Sequence, residues 1–383
     1  MYSENLEDLL NDGFSKKFAD YYLGLAKNEY LNPAYSNDYV EWAHSKGFLA
    51  ESASAYNLSE NNITNYLSDY DYYKIWPLNS WNRIWINDKL TLKYMLDNTE
   101  FSSVMPNYYY YTAQDGLKKL VDAPDKNSAP DVAEFKRVLK MVGEFACKPC
   151  NGTTSQGFFK MSYNDGKIFV DSNELQDDEL ESFLDAHRNY VFTEYLHPSE
   201  LFKQYSEKIH TLRIVTVNEN GCNPIIIGGY LRLPHKLSGE ANYAFLASGN
   251  SNAFNVCVDV NYDSGEFESG YKIYNNHKEK VDLHPDTGVS LSGRIENYDL
   301  LKETIFGIAK RFSCIEYMGF DIGITNNGFK IMEINSHPGI KYMQIFTPFL
   351  QDGEWTRDYY LKKISYVDTL PSEMKKKRND IVR

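Results

Sequence analysis

Apolar residues recur at helical spacing in segments 14–26 and 38–44, which predicts a helical region over residues 1–80. Its aromatic rings fall on those same stripes, the place of core rings rather than of a ligand platform. Asn87-Asp88 then supplies a capping residue ahead of Leu90, Leu92 and Leu96, so a helix is expected to start there with Lys89 in its first turn. Segment 122–130, with two Pro among Asp, Asn and Ser, predicts a loop, and helical spacing returns in 132–142. Short β-rich segments follow at 142–147, 167–170, 190–196, 210–217 and 224–233, divided by turn residues. A longer amphipathic helix is expected over 298–312, with Leu301, Ile305, Ile308, Ala309 and Phe312 on one face. This succession predicts an α+β protein, and 383 residues fit two or three lobes better than one core.

Segment 319–335, Gly-Phe-Asp-Ile-Gly-Ile-Thr-Asn-Asn-Gly-Phe-Lys-Ile-Met-Glu-Ile-Asn, reads as two strands around a turn. A two-residue Asn327-Gly328 turn would mix polar and apolar residues on each face. A three-residue loop, Asn326 to Gly328 with Gly328 left-handed, instead sets Phe320 opposite Ile334 and Ile322 opposite Met332. That register puts Asp321 across from Glu333, with Asn335 further along the same face. Facing carboxylates repel unless a positive charge lies between them, and a divalent magnesium ion with phosphate partners would supply it. A solvent-facing acidic pair at a sheet edge has the same sequence pattern.

Composition narrows the chemistry. The net charge of −13 disfavours a nucleic-acid backbone as partner, since such binding needs clustered Lys and Arg. No apolar run approaches the roughly 20 residues of a membrane span, and residues 1–10 lack a basic start with an apolar stretch, so a cytoplasmic protein is expected. Five scattered cysteines argue against a disulfide framework, and the Cys147–Cys150 pair has no second pair with which to hold zinc. The basic run 375–378 is expected to be a solvated helix end. Lys148 ends a predicted strand and is followed by 151–157, Asn-Gly-Thr-Thr-Ser-Gln-Gly, a small flexible loop able to bring N–H and hydroxyl groups to a polyphosphate. A plain hairpin turn would look similar. Along 211–217 the alternation leaves Arg213 on the face with Thr211, opposite Leu212 and Ile214.

Taken in order, Asn87-Asp88-Lys89, Lys148-Pro149 with its loop, 192–196, 211–216 and Asp321 with 332–335 resemble the ATP-grasp superfamily. The stretch His-Thr-Leu-Arg-Ile-Val-Thr-Val from 210 and His-Pro-Asp-Thr-Gly from 284 are most similar to its sugar-transfer-associated family. The resemblance covers about residues 80–350. It implies an ATP-grasp fold, two α+β subdomains gripping ATP, behind the helical region 1–80. The expected divisions are 81–140 for a linker and first lobe, 141–197 for a small subdomain, 198–365 for a large one and 366–383 for a basic tail. It further implies ATP and Mg2+, with Lys89, Lys148, Gly152, Thr153, Thr154, Ser155 and Gly157 at the phosphates and Glu194, Tyr195 and Leu196 at the adenine. Arg213 would face the transferred phosphate, and Asp321, Glu333 and Asn335 would hold the metal. His284, Asp286 and His337 are candidates for the substrate pocket. The implied activity is a carboxylate–amine ligase acting through an acyl phosphate, joining an amino acid to a carboxylated sugar or other surface-polysaccharide precursor. An ATP-grasp kinase acting on a hydroxyl, or an ATP-binding protein without turnover, are the alternatives.

Overall fold

The computed structural model describes residues 2, 4–125, 127, 129–151, 157–239 and 253–378. Five short helices lead: α1 (Leu6–Asp12), α2 (Lys16–Glu29), α3 (Asn37–Ser45), α4 (Ala50–Tyr56) and α5 (Asp69–Lys74). Side chains of Asn5, Ser36 and Ser68 cap three of them. Glu29 caps the fourth from a distance, accepting the Ala50 and Glu51 N–H groups at 2.7 and 2.8 Å.

The first lobe follows as α6 (Ile84–Asn87), α7 (Lys89–Leu96), β1 (Tyr108–Ala113), β2 (Gly116–Lys119), α8 (Val132–Val142), β3 (Glu144–Pro149), β4 (Phe159–Asn164), β5 (Lys167–Val170), β6 (Asn173–Leu175), α9 (Leu180–Ala186) and β7 (Tyr190–Glu194). Its seven strands form one antiparallel sheet in the order β2-β1-β7-β3-β4-β5-β6. Phe135 of α8 packs edge-on to Phe145 of β3 and Phe192 of β7, and these buried rings seal helix to sheet.

The second lobe comprises α10 (Glu200–Lys203), β8 (Thr211–Val217), β9 (Ile225–Leu233), β10 (Asn255–Val260), β11 (Glu266–Ile273), β12 (Lys278–Val281), β13 (Ser292–Arg294), α11 (Tyr298–Arg311), β14 (Tyr317–Thr325), β15 (Gly328–Asn335) and α12 (Lys341–Gln344). The sheet runs β12-β11-β10-β9-β8-β14-β15, with β13 on β11. Strand alternation divides its residues cleanly. Leu212, Ile214, Phe320 and Ile322 enter one core with Leu301, Ile305 and Ile308 of α11, while Val215, Val217, Tyr317 and Tyr230 enter another with Tyr72 and Trp76 of the leading helices. The leading helices therefore cover only part of the second face, and the remainder carries the polar side chains described below.

The chain ends with α13 (Trp355–Thr369) and α14 (Ser372–Lys377). The expectation of a solvated basic end needs correcting at Arg378. That side chain is buried, and its guanidinium donates to the Lys74 and Trp76 carbonyls at 3.0 and 2.8 Å. No helix among the described residues is long and apolar enough to cross a membrane.

The β14–β15 hairpin departs from its expected turn in an instructive way. Thr325 pairs with Gly328, leaving only Asn326 and Asn327 in the turn, and the register shifts once between Asp321 and Ile322. Ile322 pairs with Ile331, so Met332 is passed over as a bulge and is not the partner of Ile322. The bulge has a packing cause. Ile331 and Ile334 lie three apart, an odd spacing that would place them on opposite faces, yet both belong to the α11 core. One extra residue between them restores the face, and Asp321 still pairs with Glu333.

Candidate functional site

A row of polar residues crosses four strands at one level: Glu333 on β15, Asp321 on β14, Arg213 on β8 and Tyr230 on β9, each directly opposite the next. Opposed residues share a face, so all four project to the same side. Glycines flank Asp321 on that face. A Cβ at Gly319 would stand 2.5 Å from the Pro338 ring, and one at Gly323 would meet Ile209 and Leu196 at 3.1–3.3 Å.

Asp321 is buried, and Arg213 grips it at two points, Nε to Oδ1 at 2.5 Å and Nη2 to Oδ2 at 2.8 Å. Asn335 donates its amide to both Asp321 Oδ2 and Glu333 Oε1 at 3.1 Å. Lys89 Nζ lies 3.6 Å from Glu333 Oε2 and 3.5 Å from the Cys150 carbonyl. Burial pushes the Asp321 carboxyl up, and the neighbouring Glu333 charge adds to the push against the pull of Arg213. Burial would raise Glu333 as well, but Lys89, hydrogen bonds from Asp321 and Asn335 and the charge of Lys148 outweigh it and hold that carboxyl low. Lys148, on β3 of the other lobe, is pushed down to about 8 by burial and by the like charge of Lys89. Two lysines and an arginine thus converge on two carboxylates where the lobes meet. Around them, Asn87 exchanges two hydrogen bonds with Ser336, tying α6 to the end of β15.

The other candidates are distributed unevenly. Glu194 ends β7, and its carboxylate accepts the Asn107 N–H at 3.0 Å. Tyr195 follows the strand with Lys160 Nζ 4.4 Å from its ring centroid, and Leu196 is buried beside Gly323. Gly157 has φ +75°, while Gly152, Thr153, Thr154 and Ser155 lie outside the described residues. His284 is buried, with Nε2 at 3.1 Å from the Pro234 carbonyl and Nδ1 at 3.3 Å from the Thr287 hydroxyl. Asp286 accepts the Lys236 N–H at 2.6 Å. None of the contacts of His284 or Asp286 reaches the Arg213 row. His337 is enclosed by Phe18, Tyr72, Tyr73 and Trp76, with ring centroids 4.1–5.3 Å away, and burial pushes it down to about 3. It faces the leading helices.

Reasoning from sequence passed over Arg232, which stands one level along from Arg213. It also treated Asn87 only as part of a helix start. The five cysteines are free, and burial raises both the Cys147 and Cys150 thiols, Cys150 to about 11, so neither carries the thiolate a redox pair requires.

Two α+β lobes with cationic and carboxylate groups at their junction define a class of nucleotide-handling folds. The family model for sugar-transfer associated ATP-grasp proteins matches residues 79–349, and the chain belongs to that family. No curated protein matches the sequence. Among solved structures, the chain is similar to D-alanyl-alanine synthetase A from Vibrio cholerae, with 14% identity, a TM-score of 0.41, and coverage of 75% of this chain and 66% of that one. It is also similar to D-alanine–D-alanine ligase from Bacillus anthracis, with 14% identity, a TM-score of 0.35, and coverage of 76% and 69%. A third is the ATP-grasp ligase PsnB with its minimal precursor, at 13% identity, a TM-score of 0.34, and coverage of 73% and 60%. The chain thus spans just under two thirds of the length of the Vibrio cholerae synthetase, 66%, and 60% of that of PsnB.

Proposed function

We propose that this protein is an ATP-dependent carboxylate–amine ligase, and the observation that carries the reading is the Glu333–Asp321–Arg213 row with Asn335, Lys89 and Lys148 around it. A buried carboxylate, a partly exposed one and a carboxamide on one side of a hairpin are a hard-oxygen donor set. They suit Mg2+, which takes one or two carboxylates and completes its shell with phosphate oxygens and water. Arg213 and Lys89 neutralise those carboxylates. When bound, the metal would offset phosphate charge during transfer.

The chain's own residues then divide the work. Lys89 and Lys148 approach the phosphates from the first lobe, joined by the 151–157 loop. Glu194, Tyr195 and Leu196 offer the adenine its wall and polar edge. Arg213 turns its planar fork from Asp321 towards the oxygens of the phosphoryl group in flight. A substrate carboxylate oxygen bonds to the γ-phosphorus as the β–γ bridge breaks, releasing ADP and leaving an acyl phosphate. The amine nitrogen then bonds to the carbonyl carbon, phosphate leaves with the C–O pair, and the amine proton passes to solvent or a nearby base.

The acid is proposed to be a carboxylated sugar or related surface-polysaccharide precursor, in keeping with the family's description. The test is a screen of ADP release with sugar-nucleotide uronates against amino acids. Release of ADP and free phosphate only when both substrates are present supports the ligase. A stable phosphorylated product formed without any amine would replace it with a kinase.

A further inference from the structure

We infer that Asn87 is a positioning residue for the metal: by holding Ser336 it fixes the open end of β15, and so the placement of Asn335 beside Glu333. This rests on the metal assignment of the ligase reading above and deepens it. β15 is the last strand of its sheet and pairs with β14 alone. Its outer side has no neighbouring strand, and such an edge frays from its ends. Glu333 and Asn335 nevertheless both lie on it, Asn335 as its final residue. Mg2+ demands near-ideal octahedral geometry, so a ligand at a loose strand end would be a poor one.

The support comes from the first lobe. At the turn end of β15, Lys330 Nζ donates to the Ser103 and Met105 carbonyls at 2.8 and 3.3 Å. At the open end, Asn87 accepts the Ser336 N–H with its Oδ1 and donates from Nδ2 to the Ser336 hydroxyl, both at 2.9 Å. Ser336 is buried, whereas Asn87 is exposed, so the asparagine covers a buried backbone donor from outside. β14 has no such need. It lies between β8 and β15, and beyond the last pair of the hairpin, Gly319 with Asn335, the Asn79 amide takes the Tyr317 carbonyl and N–H at 2.7 and 3.0 Å. Asn87 is itself anchored through the residues that follow it. Asp88 caps α7 by accepting the Thr91 N–H at 2.7 Å, and its other oxygen accepts the Cys150 thiol at 3.4 Å. Lys89 then reaches Glu333. Three successive side chains thus address Ser336, the end of β3 and Glu333, and the hydrogen bonds of Asn87 go to Ser336 and to neither carboxylate.

The test compares the full chain with Asn87→Leu, close in size but unable to make either bond, and with Ser336→Ala, which loses the hydroxyl half alone. Thermal shift is read with AMPPNP while magnesium is titrated above the nucleotide concentration, and again at saturating magnesium while AMPPNP is titrated. In Asn87→Leu the magnesium midpoint should rise about tenfold, the scale of two lost hydrogen bonds, while the AMPPNP midpoint at saturating magnesium stays within about twofold of wild type. Ser336→Ala should fall between, and it carries the expectation if Asn87→Leu fails to fold. In the chain without nucleotide, amide exchange over 332–338 should quicken in Asn87→Leu and that over 211–217 should not. A lower melting temperature with an unmoved magnesium midpoint, equal rises in both midpoints, or unchanged exchange over 332–338 overturns the inference. A wild-type protein with no AMPPNP shift at any magnesium concentration sinks instead the ATP-site reading, and the exchange comparison then decides whether Asn87 holds the strand.

Discussion

Arg213 and Asp321 make the tightest polar contact of the site, and the shape of the guanidinium decides what a substitution there would do. A lysine keeps the charge but offers no planar pair of donors. Arg213→Lys is expected to lower turnover far more than it weakens ATP, measured as kcat against KM for ATP in ADP release; equal losses in both would remove Arg213 from the transition state. Asp321→Leu leaves the buried guanidinium without its carboxylate and should cost about 3–5 kcal/mol in urea denaturation without nucleotide. A loss below about 1 kcal/mol would show that the pair is solvated. At this scale the sequence exposed one relation and hid another. Asp321 and Glu333 share a hairpin, so counting along it could set them opposite, although the structure reaches that pairing through the Met332 bulge. Arg213 and Asp321 are 108 residues apart, and no local pattern reports which distant strand will lie beside β14.

The hairpin itself shows how a strand can be recognised while its register is misjudged. Counting from the turn predicted a three-residue loop. The structure instead uses a two-residue turn and recovers the same Asp321–Glu333 pairing through the Met332 bulge. The reason is non-local: only the α11 core requires Ile331 and Ile334 to share a face. Tolerance to added volume should differ along β14. Gly319→Ala drives a methyl against a rigid proline ring and is expected to cost about 1–3 kcal/mol, with loss of activity as Asp321 is displaced. Gly323→Ala meets only flexible Ile209 and Leu196 ends and should cost less; the reverse order in thermal melts would contradict this packing. Among the helices, His44 bridges Glu4 and Glu29 at 2.7 and 2.8 Å. Burial lowers its pKa, but hydrogen bonds to the two carboxylates overcome that and leave it above 6.5. A raised folded-state pKa means the contribution is complete below pH 6.5 and lost as pH rises through the folded value. Stability of the wild type should therefore fall as pH rises above 6.5 more steeply than that of His44→Gln, followed by urea midpoint; parallel slopes would exclude the bridge.

At the scale of the molecule, the helical character of the leading region was legible from its spacing, but its use was not. Nothing in residues 1–80 reveals that Tyr72 and Trp76 pack on the same sheet face that carries Arg213, because that depends on a partner surface more than a hundred residues away. Removing residues 1–75 would bare Val215, Val217, Tyr230 and Tyr317, and the truncated chain is expected to aggregate rather than turn over ATP. A soluble, ATP-hydrolysing fragment would contradict that. The enclosure of His337 reaches further. Tyr72 donates its hydroxyl to the Pro338 carbonyl, and four rings from the front of the chain surround the imidazole two positions past Asn335. Anyone grafting the front segment of a relative onto this body would have to exchange residue 337 along with it, since a mismatched plug in that ring cage would tilt the carboxamide at 335 without a single change in the carboxylates beside it.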